Sequence, residues 1–478
     1  MGAKAETAIR YIDHKKALIC AVSDEIWRLA EVGLHEERSA ECLARNLESE
    51  GFTVQLGVAG MPSAFVATWG SGHPVIGFLG EYDALPGLSQ KAIPIKEELV
   101  PGGAGHGCGH NLLGAGAFGA VIGLKQEVIS RGIPCTIKYF GCPAEENFSG
   151  KAFMAREGLF NDCDVCLTWH PGHLNQVSIG SSLAVSSMNI IFHGTASHAS
   201  GDPYNGRSAL DALMLTAMGI EFLREHMSPK ARIHYVITNG GGQPNVVPAK
   251  ASAWFYVRAP QRDECDVLYQ RVLKCAYGAA EMTETRCEVE LLDAIYNLIP
   301  NRVLEDVLEE AMKRVGPPVF GPEERKFAEE ISKTITEEQK ESFFRREVLP
   351  EEVKKQLRNQ VLNDTVLPRP AIPPEPAGST DVADVSWCCP TAQFRTACVA
   401  LGTPGHSWQF TAQAGMGIGH AGMIAAAKIL AEAGLELVTR PEIIAKAKEE
   451  FQRSTGGKPY KCAMPPEHKP AFHQLAGK

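Results

Sequence analysis

Four apolar segments of this sequence are each followed by side chains that can take part in chemistry. The segments are residues 74–79, 136–141, 164–169 and 396–402. The polar groups that follow them are, in the same order, Asp83, Glu145 with Glu146, His170 and His406. Short apolar runs of this kind are typical of buried parallel strands. Because open α/β sheets bind ligands outside the carboxyl ends of their strands, the pattern predicts an α/β fold with one functional edge.

A glycine-rich stretch, residues 102–111, lies between the first two of these segments and carries Cys108 and His110. Glycine lets the backbone turn tightly and approach a ligand closely. Two side chains that are two positions apart can reach one centre from such a turn, and an apolar helix follows at once. We interpret the stretch as half of a metal site. A tight turn with a buried thiol and a capping histidine explains these residues equally well, so the rest of the sequence must decide.

The composition, with 44% hydrophobic and 22% charged residues, is that of a soluble globular protein. The length of 478 residues exceeds one ordinary core, so we expect two domains. The net charge of −9 argues against nucleic acid as a partner. No apolar run approaches the roughly 20 residues of a membrane helix, and the N-terminus lacks an apolar signal core. With fourteen scattered cysteines, which we interpret as reduced, we expect a cytoplasmic protein without membrane contact.

The sequence pattern changes between residues 184 and 293. Apolar periodicity there predicts a strand, a helix, two strands, a helix and a strand, which is the βαββαβ order of a ferredoxin-like unit. We therefore predict that residues 184–297 form an inserted lid or dimerisation domain. The discontinuous remainder, residues 1–183 and 298–478, is predicted to be a metal-binding catalytic domain. Its fold would be α/β, with a mixed, largely parallel sheet flanked by helices.

Four other segments have simple predictions. Helical spacing of apolar residues predicts two helices within residues 7–51 and one small-residue helix over residues 412–434. Residues 323–360 are densely charged and are predicted to be a solvated helical face. The sequence after residue 458 is polar, and we expect a loosely ordered tail there.

The candidate metal ligands combine nitrogen, oxygen and sulfur donors, a mixture that suits zinc or manganese. They are Cys108, His110, Glu146, His170 and His406. Five ligands could serve two divalent ions that share a bridge, which is a recurring way to stabilise a hydrolytic transition state. Glu145 would then be free to activate water as a general base. An adjacent glutamate pair usually marks the solvated first turn of a helix, where acidic residues are favoured. This pair instead follows a buried strand and lies near the other candidate residues, so we favour a role in the site.

Eight motifs give the sequence a resemblance that covers nearly the whole chain. They are residues 80–86, 105–113, 143–146, 167–171, 196–199, 244–247, 378–387 and 402–409. With these motifs the sequence resembles the dinuclear metallopeptidase family that includes glutamate carboxypeptidase and the aminoacylases. Within that family it is most similar to the hydrolases of aminobenzoyl-glutamate and of indoleacetyl amino acids.

The resemblance implies a role for each candidate residue. The five mixed donors would be the metal ligands, Glu145 the base, and Asp83 the acid that orients a ligand. Asn245 and Arg258 would hold a substrate carboxylate, and His198 would polarise the scissile carbonyl. From the residues alone, the last three are more simply explained as a turn residue, a surface ion pair and a turn histidine.

The sequence departs from the family pattern at two places. Many relatives have a histidine ligand where this chain has Glu81, so Cys108 would take over that role. Glycines follow the glutamate pair in the related hydrolase, whereas Asn147 and Phe148 follow it here. The second departure leaves the size and polarity of the acyl pocket, and therefore the substrate, open.

The expected function is hydrolysis of N-acyl amino acids by two divalent ions per subunit, zinc or manganese. An aromatic acyl group on glutamate or aspartate is the expected substrate. A dipeptidase, for example of β-alanyl dipeptides, and a non-catalytic regulatory or binding subunit of a hetero-oligomer are the alternatives. The intact base and ligand set favour an enzyme. The resemblance also implies a homodimer through the inserted domain, with His198 reaching the partner's site, and it allows for a second related subunit.

Overall fold

A computed structural model of the chain describes residues 4–472. The first part contains α1 (Glu6–His14), α2 (Lys16–Leu29), α3 (Glu37–Ser49), β1 (Thr53–Leu56), β2 (Phe65–Gly70), β3 (Val75–Glu81), α4 (His110–Arg131), β4 (Thr136–Cys142), α5 (Gly150–Arg156), β5 (Val165–Gly172) and β6 (Gln176–Ser178). The middle contains β7 (Ala184–His193), α6 (Ala209–Leu223), β8 (Arg232–Asn239), β9 (Lys250–Ala259), α7 (Arg262–Thr283) and β10 (Arg286–Ile295). The last part contains α8 (Arg302–Val315), α9 (Pro322–Ser332), α10 (Glu337–Arg346), α11 (Glu351–Leu357), α12 (Val382–Cys388), β11 (Thr391–Ala397), α13 (Trp408–Ala414), α14 (Gly417–Thr439) and α15 (Pro441–Thr455).

Seven strands form a mixed sheet in the order β1-β2-β4-β3-β5-β11-β6. Its four central strands, from β4 to β11, are parallel to one another. The outer strands β1, β2 and β6 are antiparallel to their neighbours. The predicted α/β class with a mixed, largely parallel sheet is therefore confirmed. Because the central strands are parallel, their carboxyl ends meet at one edge of the sheet.

Helix α4 lies unusually close to this sheet. A Cβ atom at Gly116 would lie 2.7 Å from the Trp169 ring on β5, and one at Gly114 would lie 2.6 Å from the backbone of Glu81 on β3. Glycine at these positions therefore sets the distance between helix and sheet. Among residues 4–472, α4 is the one helix long and apolar enough to span a bilayer, but 89% of its apolar window is buried inside the protein. Such burial is typical of a core helix.

The middle part of the chain forms a second, antiparallel sheet in the order β10-β7-β9-β8. Helices α6 and α7 pack against it around a separate hydrophobic core. The element order is the predicted βαββαβ. The exact limits of the inserted domain, residues 184–297, stay a prediction.

Two local predictions differ from the structure for physical reasons. The segment of residues 7–51 contains three helices, because the first helical run breaks at Lys15. The predicted helix over residues 412–434 is interrupted at Gly415, where a Cβ atom would lie 2.4 Å from the Trp27 ring. The charged segment of residues 323–360 is helical, as predicted, and forms α9, α10 and α11.

The predicted strand over residues 396–402 lies too late in the chain, since β11 ends at Ala397. The pairing of β11 with β5, from Thr391 with Cys166 to Ala397 with Gly172, sets its true position. The apolar residues that follow are buried outside the strand. The predicted loosely ordered tail has no helix or strand over residues 459–472, although it buries Met464 and Ala471 against the protein. Residues 473–478 of the predicted tail lie outside the described residues.

Candidate metal centre

The glycine-rich loop before α4 packs against two histidine-bearing loops. A Cβ atom at Gly109, whose φ is +79°, would lie 3.1 Å from Pro171. The backbone N–H of His406 donates to the carbonyl of Gly107 at 3.1 Å. These close contacts bring Cys108 within reach of both loops. Its Sγ atom lies 3.4 Å from His170 Nε2.

His110, the first residue of α4, is fully buried at the centre of the site. Its Nδ1 donates to Asp83 Oδ1 at 2.7 Å, and the other Asp83 oxygen accepts the backbone N–H of Glu146 at 2.9 Å. Asp83 therefore fixes the ring of His110 and the position of Glu146 together. Although burial opposes it, the charge and hydrogen bond of His110 lower the pKa of Asp83. An ionised Asp83 is the form that holds the ring with Nε2 directed into the site.

A tight turn after β4 carries Glu145 and Glu146. It begins at Ala144, which adopts a left-handed conformation with φ +59°, and whose carbonyl accepts the N–H of Ser149 at 2.8 Å. Glu146 Oε2 lies 3.4 Å from His406 Nε2. Burial raises the pKa of Glu145 well above its ordinary value, and the nearby charges of Glu81 and others add to the effect. A carboxyl group with a raised pKa is suited to accepting and returning a proton near neutral pH.

Three overlapping groups of side chains have their donor atoms within 4.8 Å of one another. They are Cys108 with His110 and His170, Cys108 with Glu146 and His406, and Glu81 with His110 and Glu145. The structure thus brings together all five predicted ligands and Glu145, whose roles as ligands and base stay predictions.

This donor set fits divalent metal ions. Two ligands of a tetrahedral ion, with bonds of about 2.0–2.3 Å, lie roughly 3.3–3.6 Å apart. The site supplies pairs at this spacing, such as Cys108 with His170 and Glu146 with His406, both at 3.4 Å. Among the described residues, the buried atoms His110 Nε2 and Glu146 Oε1 have no hydrogen-bond partner. Buried polar atoms almost always have one, so these two atoms mark a place for a bound ion.

The residues predicted to contact substrate lie in the middle part of the chain. His198 and Asn245 are exposed, and their loops are joined where the N–H of Ala199 donates to the carbonyl of Asn245 at 2.9 Å. His198 Nδ1 accepts the N–H of Gly201 at 2.9 Å. Within residues 4–472, no hydrogen bond or ion pair joins either side chain to a predicted ligand. The roles of His198 and Asn245 toward substrate stay predictions.

Arg258 lies on β9 of the second sheet, and its side chain contacts the segment before α12. Its Nη1 donates to Ser379 Oγ at 2.8 Å, and its guanidinium lies 5.2 Å from the centre of the Tyr256 ring. Its buried Nε has no partner among the described residues. Part of the guanidinium is thus unsatisfied, as expected for a group that binds an anion.

Two charged residues of this region were missed in the sequence. Lys151 and Asp381 are fully buried, and Lys151 Nζ lies 2.6 Å from Asp381 Oδ1 and 2.6 Å from Glu81 Oε1. The available signal was a lysine near the start of α5, in the segment that follows the glutamate pair.

Comparison with known proteins gives one matching family model, that of peptidase family M20/M25/M40, over residues 77–344. The chain is 42% identical over 451 residues to the B subunit of p-aminobenzoyl-glutamate hydrolase from Escherichia coli (strain K12), covering 93% of this chain and 94% of that protein. It is 29% identical over 460 residues to the Xaa-Arg dipeptidase of Mus musculus, covering 93% and 91%.

Two solved structures share the fold. An aminobenzoyl-glutamate utilization protein from Klebsiella pneumoniae superposes with a TM-score of 0.62 at 20% identity, covering 89% of this chain and 97% of that one. A dinuclear metal-binding M20 peptidase from Bacillus subtilis gives a TM-score of 0.57 at 15% identity, covering 89% and 99%. The resemblance predicted from the motifs is confirmed.

Proposed function

The chain belongs to peptidase family M20/M25/M40, and we propose that it is a two-metal amidohydrolase that releases glutamate or aspartate from an aromatic acyl group. One observation carries the proposal: the five candidate metal ligands and Glu145 lie close together near the carboxyl ends of the parallel strands. The similarity to one chain of a p-aminobenzoyl-glutamate hydrolase, over 93% of the present chain, supports this substrate class.

In the proposed reaction each residue of the site has a separate role. When bound, divalent ions polarise a scissile carbonyl and make water a stronger nucleophile at neutral pH. Zinc and manganese both suit the donor set. Glu145 takes the proton from the attacking water and returns it to the leaving amine. Asp83 holds the ring of His110 and the backbone of Glu146 in place while the proton moves.

Substrate recognition is proposed to depend on Arg258 and Asn245. The unpartnered Nε of Arg258 and its planar guanidinium suit the α-carboxylate of an N-acyl amino acid. Of the two residues that stand where the related hydrolase has glycines, Phe148 is buried in a hydrophobic cluster. Asn147 is half-buried and its Nδ2 has no partner among the described residues. Asn147 is therefore the departure that we assign to the acyl pocket.

We further propose that two copies of the chain pair through the inserted domain. Strand β8 is an edge of the second sheet, and its Val236 is 57% exposed. On α6, Met214, Met218 and Phe222 are spaced by four residues and form an exposed apolar face. Edge strands and apolar helix faces of this kind suit pairing across a two-fold axis. His198 then reaches the partner's metal centre, where it stabilises the oxyanion.

Other assemblies and substrates have specific support. The similar Escherichia coli protein is by name the B member of a hydrolase of more than one kind of chain. A homolog of the A member, from Haemophilus influenzae, is 24% identical to the present chain over 232 residues, so a second related chain is part of the proposal.

The Xaa-Arg dipeptidase makes a dipeptidase the second candidate function. A cytoplasmic location stays a prediction.

A substrate panel with metal analysis tests the proposal. The purified protein is assayed for amine release from p-aminobenzoyl-glutamate, indoleacetyl-aspartate, a β-alanyl dipeptide and an Xaa-Arg dipeptide. We expect two equivalents of bound metal and fastest release from an aromatic acyl substrate. Cys108→Ser is the control, because it should lose metal and activity together while the fold survives. Preference for a dipeptide would establish the second candidate, and absence of hydrolysis with metal bound would point to a non-catalytic binding role.

A further inference from the structure

Lys151 is a charged residue buried entirely within the protein. Its Nζ lies 2.6 Å from Glu81 Oε1 and 2.6 Å from Asp381 Oδ1, and its backbone N–H donates to Asp381 Oδ2 at 2.9 Å. An unpaired ammonium at such a place would be strongly destabilising, so the two carboxylates are what retain it. One positive charge faces two negative charges here. The group therefore carries a net negative charge next to the candidate metal centre.

Only one oxygen of Glu81 is used by Lys151. The other, Oε2, lies 3.2 Å from His110 Nε2, yet Nε2 makes no hydrogen bond. Two ligand-type atoms that lie this close together without a hydrogen bond between them can both contact one bound ion. The spacing is close to the roughly 3.3 Å between two ligands of one tetrahedral ion. Glu145 completes the group, with all its donor atoms within 4.8 Å.

We propose that Glu81 is a sixth metal ligand and that Lys151 is the positioning residue that holds it, an inference that rests on the proposed two-metal site. By fixing Oε1, Lys151 leaves Oε2 as the one ligand atom of Glu81, at 3.2 Å from His110 Nε2. It also offsets the repulsion that Glu81 would feel from Glu145 and Asp381. The six proposed ligands are then two carboxylates, one thiolate and three imidazoles, and the buried ammonium of Lys151 contacts one of the carboxylates.

Cobalt substitution tests Glu81 without relying on activity. Visible absorption of Co²⁺ reports the number and geometry of its ligands, and titration gives the affinity of each ion. Removing a residue that hydrogen-bonds to a metal ligand typically weakens metal binding by about 10- to 100-fold. In Glu81→Gln we expect one of the two ions to bind more weakly by at least this factor, and we expect the absorption spectrum to change. Asp384→Asn is the matched control, since Asp384 is a buried carboxylate that Tyr460 and Tyr296 satisfy. It should keep both ions and the spectrum.

Lys151 is tested by two variants that treat its charge differently. Lys151→Met with Asp381→Asn removes one charge of each sign, so the buried net charge stays the same. Lys151→Arg keeps the positive charge. We expect the double variant to fold, by circular dichroism, and to lose cobalt affinity at the same ion as Glu81→Gln. Adding Glu81→Gln to it should cause no further loss.

The outcomes separate this inference from the proposed function. Wild-type protein that binds no metal would contradict the two-metal site itself. Two ions bound with an unchanged spectrum in Glu81→Gln would overturn the ligand role alone. Unchanged cobalt affinity in the double variant, or failure of both Lys151 variants to fold, would assign Lys151 to fold stability and overturn its positioning role.

Discussion

The backbone N–H of Ala144 donates to Glu36 Oε1 at 2.7 Å, so a buried carboxyl group at the start of α3 holds the turn that carries Glu145 and Glu146. The other Glu36 oxygen accepts the hydroxyl of Ser63 at 3.0 Å. Ala144 has a positive φ, which costs a non-glycine residue energy unless its surroundings fix it. Glu36 supplies that restraint from a distant part of the chain.

Replacement of Glu36 should therefore affect a reaction that it does not touch. We expect Glu36→Ala to lower kcat by about 10- to 100-fold, because the turn loosens and both glutamates lose their positions. Glu36→Gln is the matched variant, since its amide can still accept from Ala144 through its oxygen. It should keep most of the activity. Equal losses in both variants would show that the charge, and not the hydrogen bond, is what matters.

The two adjacent glutamates should have separable roles. Glu145→Gln keeps size and hydrogen bonding but cannot carry a proton, so kcat should fall by about 10²–10⁴-fold with metal content unchanged. Glu146→Gln should instead lower metal content, because Glu146 lies against His406. Metal analysis and steady-state kinetics on both variants check the assignment. The reverse pattern would mean that the base and the ligand are exchanged.

Arg258 is expected to recognise a carboxylate. Lysine cannot reproduce two parallel hydrogen bonds from a planar group, so Arg258→Lys should raise KM for an N-acyl glutamate. The KM for a matching substrate whose α-carboxylate is replaced by an amide should not change in this variant. Ser379→Ala removes the hydrogen bond to Arg258 and should give a smaller change in the same direction. Equal losses on both substrates would indicate a structural role for Arg258.

His198 is predicted to act across a dimer. Glu145→Ala and His198→Ala proteins should each be nearly inert, since an oxyanion donor is worth about 10²–10³ in turnover. Unfolded and reassembled together, they should form mixed dimers with one intact site. Activity well above either parent would support action in trans. Mixed dimers that form but stay inert would place His198 elsewhere in the mechanism.

The ion pair of His420 with Asp24 should make stability depend on pH. Burial alone would lower the pKa of His420, but hydrogen bonds to Asp24, at 2.9 Å, and to Cys20 outweigh it and raise the pKa to about 9. The stabilisation is therefore full below the unfolded pKa of about 6.5 and is lost as pH rises through about 9.

We expect His420→Gln to reduce the free energy of unfolding by up to about 3 kcal/mol at about pH 6 and by little at about pH 10. Denaturant unfolding at the two pH values measures this. His14→Gln, at an exposed histidine, serves as the control. A loss that is the same at both pH values would exclude the ion pair as its source.

The parallel strands and the candidate ligands could be predicted because they leave local signals. Apolar runs marked β3, β4 and β5, and the spacing of Cys108 and His110 marked the loop. Lys151 gave no comparable signal, since a lysine at a helix start is usually exposed. Its burial depends on tertiary packing, in which α5 contacts α12 and Lys151 pairs with Asp381 and Glu81. The position of β11 likewise depends on its pairing with β5, which its own sequence does not encode.

The place of β11 in the sheet has a consequence for how the chain is made. Strand β5 ends at residue 172, but its neighbour β11 is complete only at residue 397. At about 5–20 residues per second, a ribosome needs roughly 10 to 45 s to synthesise the sequence between them. Throughout that interval the β11-facing edge of β5 has no partner, although the inserted unit, whose strands and helices all lie within residues 184–295, can fold once its last strand has been made. An open apolar edge favours intermolecular pairing, so nascent chains of this protein are most prone to aggregate until β11 has emerged from the ribosome.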